Sequence, residues 1–177
     1  PGKYSYKQSF NSEHSINLII EEIFNKEKID YKRYLFDIHG SDERQYSSQG
    51  FKINMASIHK DRYYEYPFYH TSLDNLDFVK AEQIEKSLQL HLKVLDKINQ
   101  ESVYKSIHQY GEVMLSKHNL YPKAGGGQLP QNRNTSDLDL ILWLLWMCDG
   151  SKGLIHIARK LNLKLEDLDS IAKELNE

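Results

Sequence analysis

The chain has 177 residues, enough for one ordinary domain, or one domain with a small appendage, around a real core. Its 23 basic residues nearly balance 25 acidic ones, and a net charge of -2 removes the broad electrostatic argument for a nucleic-acid or anionic-membrane partner. Hydrophobic residues make up 40%, and 12 tyrosines add amphipathic bulk, so a folded interior is expected rather than disorder.

The single cysteine, Cys148, excludes an intramolecular disulfide and points to a reducing compartment, giving the expectation of a cytoplasmic protein. The longest apolar run, "LILWLLWMC", is well short of the ~20 residues that span a bilayer, so no membrane partner is expected. The opening "PGKYSYKQSF" lacks the basic-then-apolar order of a signal peptide, and without an initiator Met it reads as the start of a portion of something larger.

In chain order, "NSEHSINLIIEEIFNKEK" carries Ile16, Ile19, Ile20, Ile23 and Phe24 at helical spacing, with Asn11 and Ser12 as candidate N-caps. "YKRYLFDI" and "FKINMASI" read as strands, joined by the polar loop "HGSDERQYSSQG" between Gly40 and Gly50. Helix, strand, loop and strand is the rhythm of an α/β sheet, whose functional loops gather at one end of the strands. "HKDRYYEYPFYHTSLDNLDF" is too long and irregular for a simple connection, which marks it as a candidate functional loop. A long helix over residues 80–100 is expected to turn Ile84, Leu88, Leu92, Leu95 and Ile98 inward and to leave His91 on its surface.

"VYKSIHQYGEVML" has the form of a hairpin around Tyr110 and Gly111, and "NLYPKAGGGQLPQNRNTSD" is a linker punctuated by Gly and Pro. From Asp137 the chain reads as three short helices, the first capped by Ser136 and stopped by Gly150. That first helix is so densely apolar, from Leu140 to Met147, that burial on more than one face is expected, with Cys148 protected. The expected organisation is an α/β part over residues 1–100, a hairpin and linker over 101–136, and a three-helix, winged-helix-like module over 137–177.

The last helix carries Lys164 and Lys173 against Glu166, Asp167, Asp169, Glu174 and Glu177. A helix of that charge repels phosphate, so no nucleic acid is expected, and the helical tail is read as packing, docking a protein or self-associating. On local spacing, His70 in "FYHTSLDNLD" stands without a second ligand at i+4 and without an "HExxH" or a Cys pair, so it reads as an ordinary loop histidine. The adjacent acids and Arg44 of "SDERQ" likewise read as a solvated loop, or as groups that orient a substrate amine.

In combination these segments resemble a known family. Gly40, Ser41, Asp42, Glu43, Arg44, Gln45 and Tyr46, followed by Tyr69, His70, Thr71, Ser72 and Asp74, are similar to the closing part of the co-catalytic zinc aminopeptidases, in a branch with a C-terminal winged-helix domain. The resemblance implies a partial aminopeptidase-like sheet with flanking helices. It implies His70 as a zinc ligand, Asp42 as an acid lining the pocket or supporting a ligand, and Tyr69 as a substrate-binding wall. It further implies metal-assisted hydrolysis of a peptide or amide substrate, with the other ligands and the general base upstream of Pro1 and the isolated chain inactive. Ser47, Ser48, Gln49 and "KINMASI" depart from the branch pattern. The rival expectation is a non-catalytic protein-binding module whose α/β part is only a scaffold.

Overall fold

The computed structural model describes residues 2–40, 42–120 and 137–176, and the chain divides into two compact units, residues 1–100 and 101–177. In the first unit, β1 (Tyr4–Lys7), α1 (Ser15–Lys26) and β2 (Tyr31–Tyr34) form a parallel strand pair joined through a helix. A third strand, β3 (Ser57–Lys60), adds antiparallel on the other side of β1, giving the order β2-β1-β3. The period of two along β1 sends Tyr4 and Tyr6 to one face, Ser5 and Lys7 to the other. On the tyrosine face, Phe24 of α1 meets Tyr6 edge-on at 6.1 Å and Tyr31 at 4.7 Å, with Ile19, Ile20 and Ile23 buried beside it. Each such buried side chain contributes roughly 1.5–3 kcal/mol.

Several expectations need correction. The α1 cap is His14, whose Nδ1 accepts from the Ile16 N–H at 3.2 Å, because a turn closed from Asn11 to His14 delays the helix start. The polar loop contains a one-turn helix, α2 (Asp42–Tyr46). The second predicted strand is displaced to Ser57–Lys60, because the Phe51, Lys52 and Ile53 amides donate back to Ser48 and Tyr46 and are lost to the ladder.

The long helix, α3 (Ala81–Gln100), forms, but its buried residues are Leu90 and Val94. Ile84, Leu88, Leu92, Leu95 and Ile98 are exposed. The packing partner is α1, which takes the Leu90/Val94 side of α3, with Lys93 and Lys97 reaching Glu27 and Glu22 at 2.5 and 3.0 Å. An α-helix placed against one neighbour buries one stripe, whichever other stripe is apolar.

The second unit contains α4 (Asp137–Met147), α5 (Leu154–Leu161) and α6 (Leu165–Asn176), with a 3-10 turn at Leu115–His118. Leu115, Leu140, Leu144, Cys148, Ile157 and Leu168 belong to its core. The α5–α6 turn passes through Asn162 in the left-handed conformation, and the Asn162 backbone N–H donates to the last-turn carbonyls of Ala158 and Arg159. The expected hairpin over residues 103–115 is not formed. Residues near Tyr104 pair instead with the segment after α4, through the bridge Lys105↔Asp149 and the Ser106-to-Cys148 and Gly150-to-Tyr104 hydrogen bonds. Gly150 takes φ +83 there, a conformation that a Cβ disfavours.

Expected burial of α4 on more than one face does not hold: Leu140, Ile141 and Leu144 are buried, while Leu142, Trp143 and Trp146 are exposed. Ser136, and most of the Gly- and Pro-rich segment, lie outside the described residues. No helix among the described residues is long and apolar enough to cross a membrane.

Candidate functional site

The carboxyl end of β1 delivers Lys7 to the polar face of the sheet, where it is 0% exposed. A buried ammonium must be paired and hydrogen-bonded. Lys7 Nζ donates to Asp37 Oδ1 at 2.9 Å, to Tyr63 Oη at 3.2 Å, to Glu43 Oε1 at 3.3 Å and to the His39 carbonyl. Burial pushes its pKa down, but the bonds to Asp37, Tyr63 and Glu43 more than restore it, and the net shift is upward. Burial likewise acts to raise the Asp37 carboxyl, and Lys7 and the His39 amide overcome it, holding the group below its usual value.

Arg62 lies beside this hub, with Nη2 on Asp37 at 3.1 Å, Nη1 on Glu65 at 3.4 Å, and its guanidinium 4.1 Å over the Tyr34 ring. The Tyr63 hydroxyl has one proton and two acceptors for it, the His39 carbonyl at 3.1 Å and Glu43 at 3.4 Å. Three segments, residues 37–39, α2 and the loop after β3, are thus tied to the end of β1.

That loop then winds through short turns, with Thr71 donating twice to the Phe68 carbonyl and Tyr66 donating to Asp74 at 2.7 Å. The Asp74 carboxylate, with some burial, pushes the Tyr66 phenol up to about 12. His70 sits at φ 57, a left-handed backbone that His adopts more readily than most side-chain-bearing residues and that Tyr64 in the same loop shares. Its exposed imidazole stacks on Tyr69 at 4.0 Å and 16°. Tyr69 in turn meets Tyr64 at 4.9 Å, Tyr66 at 5.9 Å and Tyr63 at 6.4 Å.

The sequence-predicted residues are therefore placed unequally. Tyr69 is half-buried in an aromatic platform, and His70 rides on it with its ring facing solvent. Asp42 is exposed at the start of α2, and the acid that turns inward is its neighbour Glu43, for which the sequence suggested no role. Lys7, Asp37, Tyr63 and Arg62 were also missed. The one sequence signal for Lys7 is its place on a strand whose other face is aromatic. Among the described residues no group of three or more His, Cys, Asp or Glu side chains could hold a metal ion. The described residues do not by themselves fit a zinc centre.

Comparison with known proteins follows the two units. Residues 1–101, more than half of the chain, match the model of a domain of unknown function, DUF4910. The chain belongs to the DUF4910 family. Beyond this DUF4910 domain, residues 102–177 match a winged helix-turn-helix model. The whole is 29% identical over 174 residues to a Clostridium acetobutylicum protein provisionally named as a polysaccharide biosynthesis protein with an aminopeptidase-like domain, covering 98% of this chain and 39% of that one. A crystal structure from the same organism, provisionally assigned as a peptidase, matches with a TM-score of 0.61 at 26% identity, over 99% of this chain and 37% of that one. The chain spans about two fifths of the length of these relatives. The resemblance to an aminopeptidase-like protein with a C-terminal winged helix thus stands, as does the mixed α/β fold with that appended module. The exclusion of nucleic acid drawn from charge is not supported by the winged-helix match, which fits a DNA or a protein partner alike.

Proposed function

We propose that this chain is part of an aminopeptidase-like zinc hydrolase, in which His70 supplies one metal ligand and Tyr69 one wall of the substrate pocket. The observation that carries the reading is the His70 loop: an exposed imidazole at φ 57, stacked on Tyr69 within a cluster of tyrosines. Metal-assisted hydrolysis of a peptide or amide bond beside a free amine is the reaction class, and the likeness to aminopeptidase-like relatives supports it. The further ligands and the general base belong to residues outside this chain, since one imidazole binds zinc weakly. Asp42 remains a candidate for orienting the substrate amine.

Elemental analysis of the full-length gene product tests this. The wild type and His91→Ala hold equal zinc, because His91 is an exposed α3 residue bonded only along its own helix to the Ser87 carbonyl. His70→Ala loses most of the metal, and the 177-residue chain by itself carries far less than one equivalent. Equal zinc in the wild type and His70→Ala sinks the assignment.

For residues 102–177 we infer a protein partner rather than duplex DNA. The exposed residues of α6 include Glu166, Asp167 and Glu174, and its Lys173 is engaged by Asp169 at 2.6 Å. On α4, Trp146 is 82% exposed with Trp143 and Leu142 nearby, the kind of apolar and aromatic surface that anchors protein interfaces.

A further inference from the structure

The two segments that carry the aminopeptidase resemblance, α2 and the His70 loop, are both anchored on a residue from neither. We propose that Lys7 is a positioning residue for His70, acting through Tyr63 and Tyr69; the functional weight of this rests on the reading of His70 as a site residue. Lys7 ends β1, the central strand of the sheet, so its backbone is held by the ladder on both sides, and its ammonium is held by Asp37, Glu43, Tyr63 and the His39 carbonyl. It bonds Glu43 of α2 at 3.3 Å and the Tyr63 hydroxyl at 3.2 Å, and the Tyr63 ring lies within 6 Å of its charge.

From there the contacts run ring to ring. Tyr63 meets Tyr64 at 5.6 Å and Tyr69 at 6.4 Å, Tyr64 meets Tyr69 at 4.9 Å, and Tyr69 stacks on His70. His70 is exposed and takes a left-handed backbone, so the platform beneath it holds its ring in place. Ring contacts of this kind favour particular mutual orientations, so each link biases the next without welding the loop into the core. The Lys7 hydrogen bond sets the Tyr63 ring, and the rings transmit that setting.

The test is the ring-proton spectrum of His70 in the full 177-residue chain, where Tyr69 stacking displaces the signals from those of an unstructured histidine. Tyr63→Phe keeps the ring and removes the hydroxyl with its bonds to Lys7, the His39 carbonyl and Glu43, while Lys7 retains Asp37 and Glu43. In this variant the His70 signals shift toward the unstructured positions, and those of His14 and His91, which report α1 and α3, stay in place. Lys7→Met, which leaves the Tyr63 hydroxyl in place, produces a larger shift of the same sign; should it unfold the unit, moving His14 and His91 as well, Lys7→Gln takes its place, and an unmoved His70 in a folded Lys7 variant overturns the proposal. An unchanged His70 spectrum in Tyr63→Phe overturns the proposal. The readout needs no metal, so it fails or succeeds separately from the zinc reading. In the full-length gene product, loss of zinc in His70→Ala together with unaltered His70 signals in Tyr63→Phe would leave the ligand standing and remove Lys7 from its support.

Discussion

Lys7 and His59 show how the same sheet face treats two bases in opposite ways. Lys7 is surrounded by oxygens and has its pKa raised, so the stability it contributes is complete below its usual value of 10.5 and is lost as pH climbs through the higher folded value. His59 is pushed below its usual 6.5, first by burial and then by Arg62 and Lys7, with Glu43 and Glu65 opposing. Its folded form is therefore neutral, and the unfolded chain binds the extra proton as pH falls below 6.5. The sign is destabilisation on acidification, beginning near pH 6.5 and complete below the folded pKa. Urea midpoints followed by near-ultraviolet circular dichroism should decline between neutral pH and pH 5, and His59→Gln should flatten that decline. Both tryptophans, Trp143 and Trp146, lie in the second unit, so their fluorescence gives a separate trace. A slope unchanged by His59→Gln would assign the acid sensitivity elsewhere.

The elements divide by how far local pattern could specify them. The α1 stripe was legible because its isoleucines and Phe24 have one place to go, the aromatic face of the sheet. In α3 the most continuous apolar stripe is not the buried one, because burial depends on which side α1 covers. Leu90 is 4% exposed and Leu88 is 55% exposed, which separates the two readings experimentally. Leu90→Ala should cost about 2–5 kcal/mol, the range for emptying a packed site, against within about 0.5 kcal/mol for Leu88→Ala. Chemical denaturation of the two variants checks it, and equal losses would restore the stripe expected from periodicity. The displaced strand β3 has a similar lesson: alternation at Phe51, Ile53 and Met55 was real, but the Phe51 and Ile53 amides were claimed by the Ser48 and Tyr46 carbonyls.

At the scale of the molecule, a winged-helix module with an acidic third helix is attached to a DUF4910 domain in which the exposed His70 ring stacks on Tyr69. Duplex affinity comes from neutralising phosphates, and α6 offers one lysine already paired. Fluorescence anisotropy of the chain with random duplexes at physiological salt should show only weak, salt-sensitive binding without sequence preference; submicromolar affinity would overturn the protein-partner reading. By itself the sequence determined α1, α3 and the helical tail, and the pairing of the SDERQ and YHTS segments that carries the aminopeptidase resemblance. These rest on local period and on residue identity. Only the tertiary structure decided that Glu43 rather than Asp42 turns inward, that Lys7 is the hub, and that His70 stands on a tyrosine platform. A buried charge is acceptable only where partners from distant segments converge on it, and residues 7, 37, 43 and 63 become neighbours only when the sheet is built.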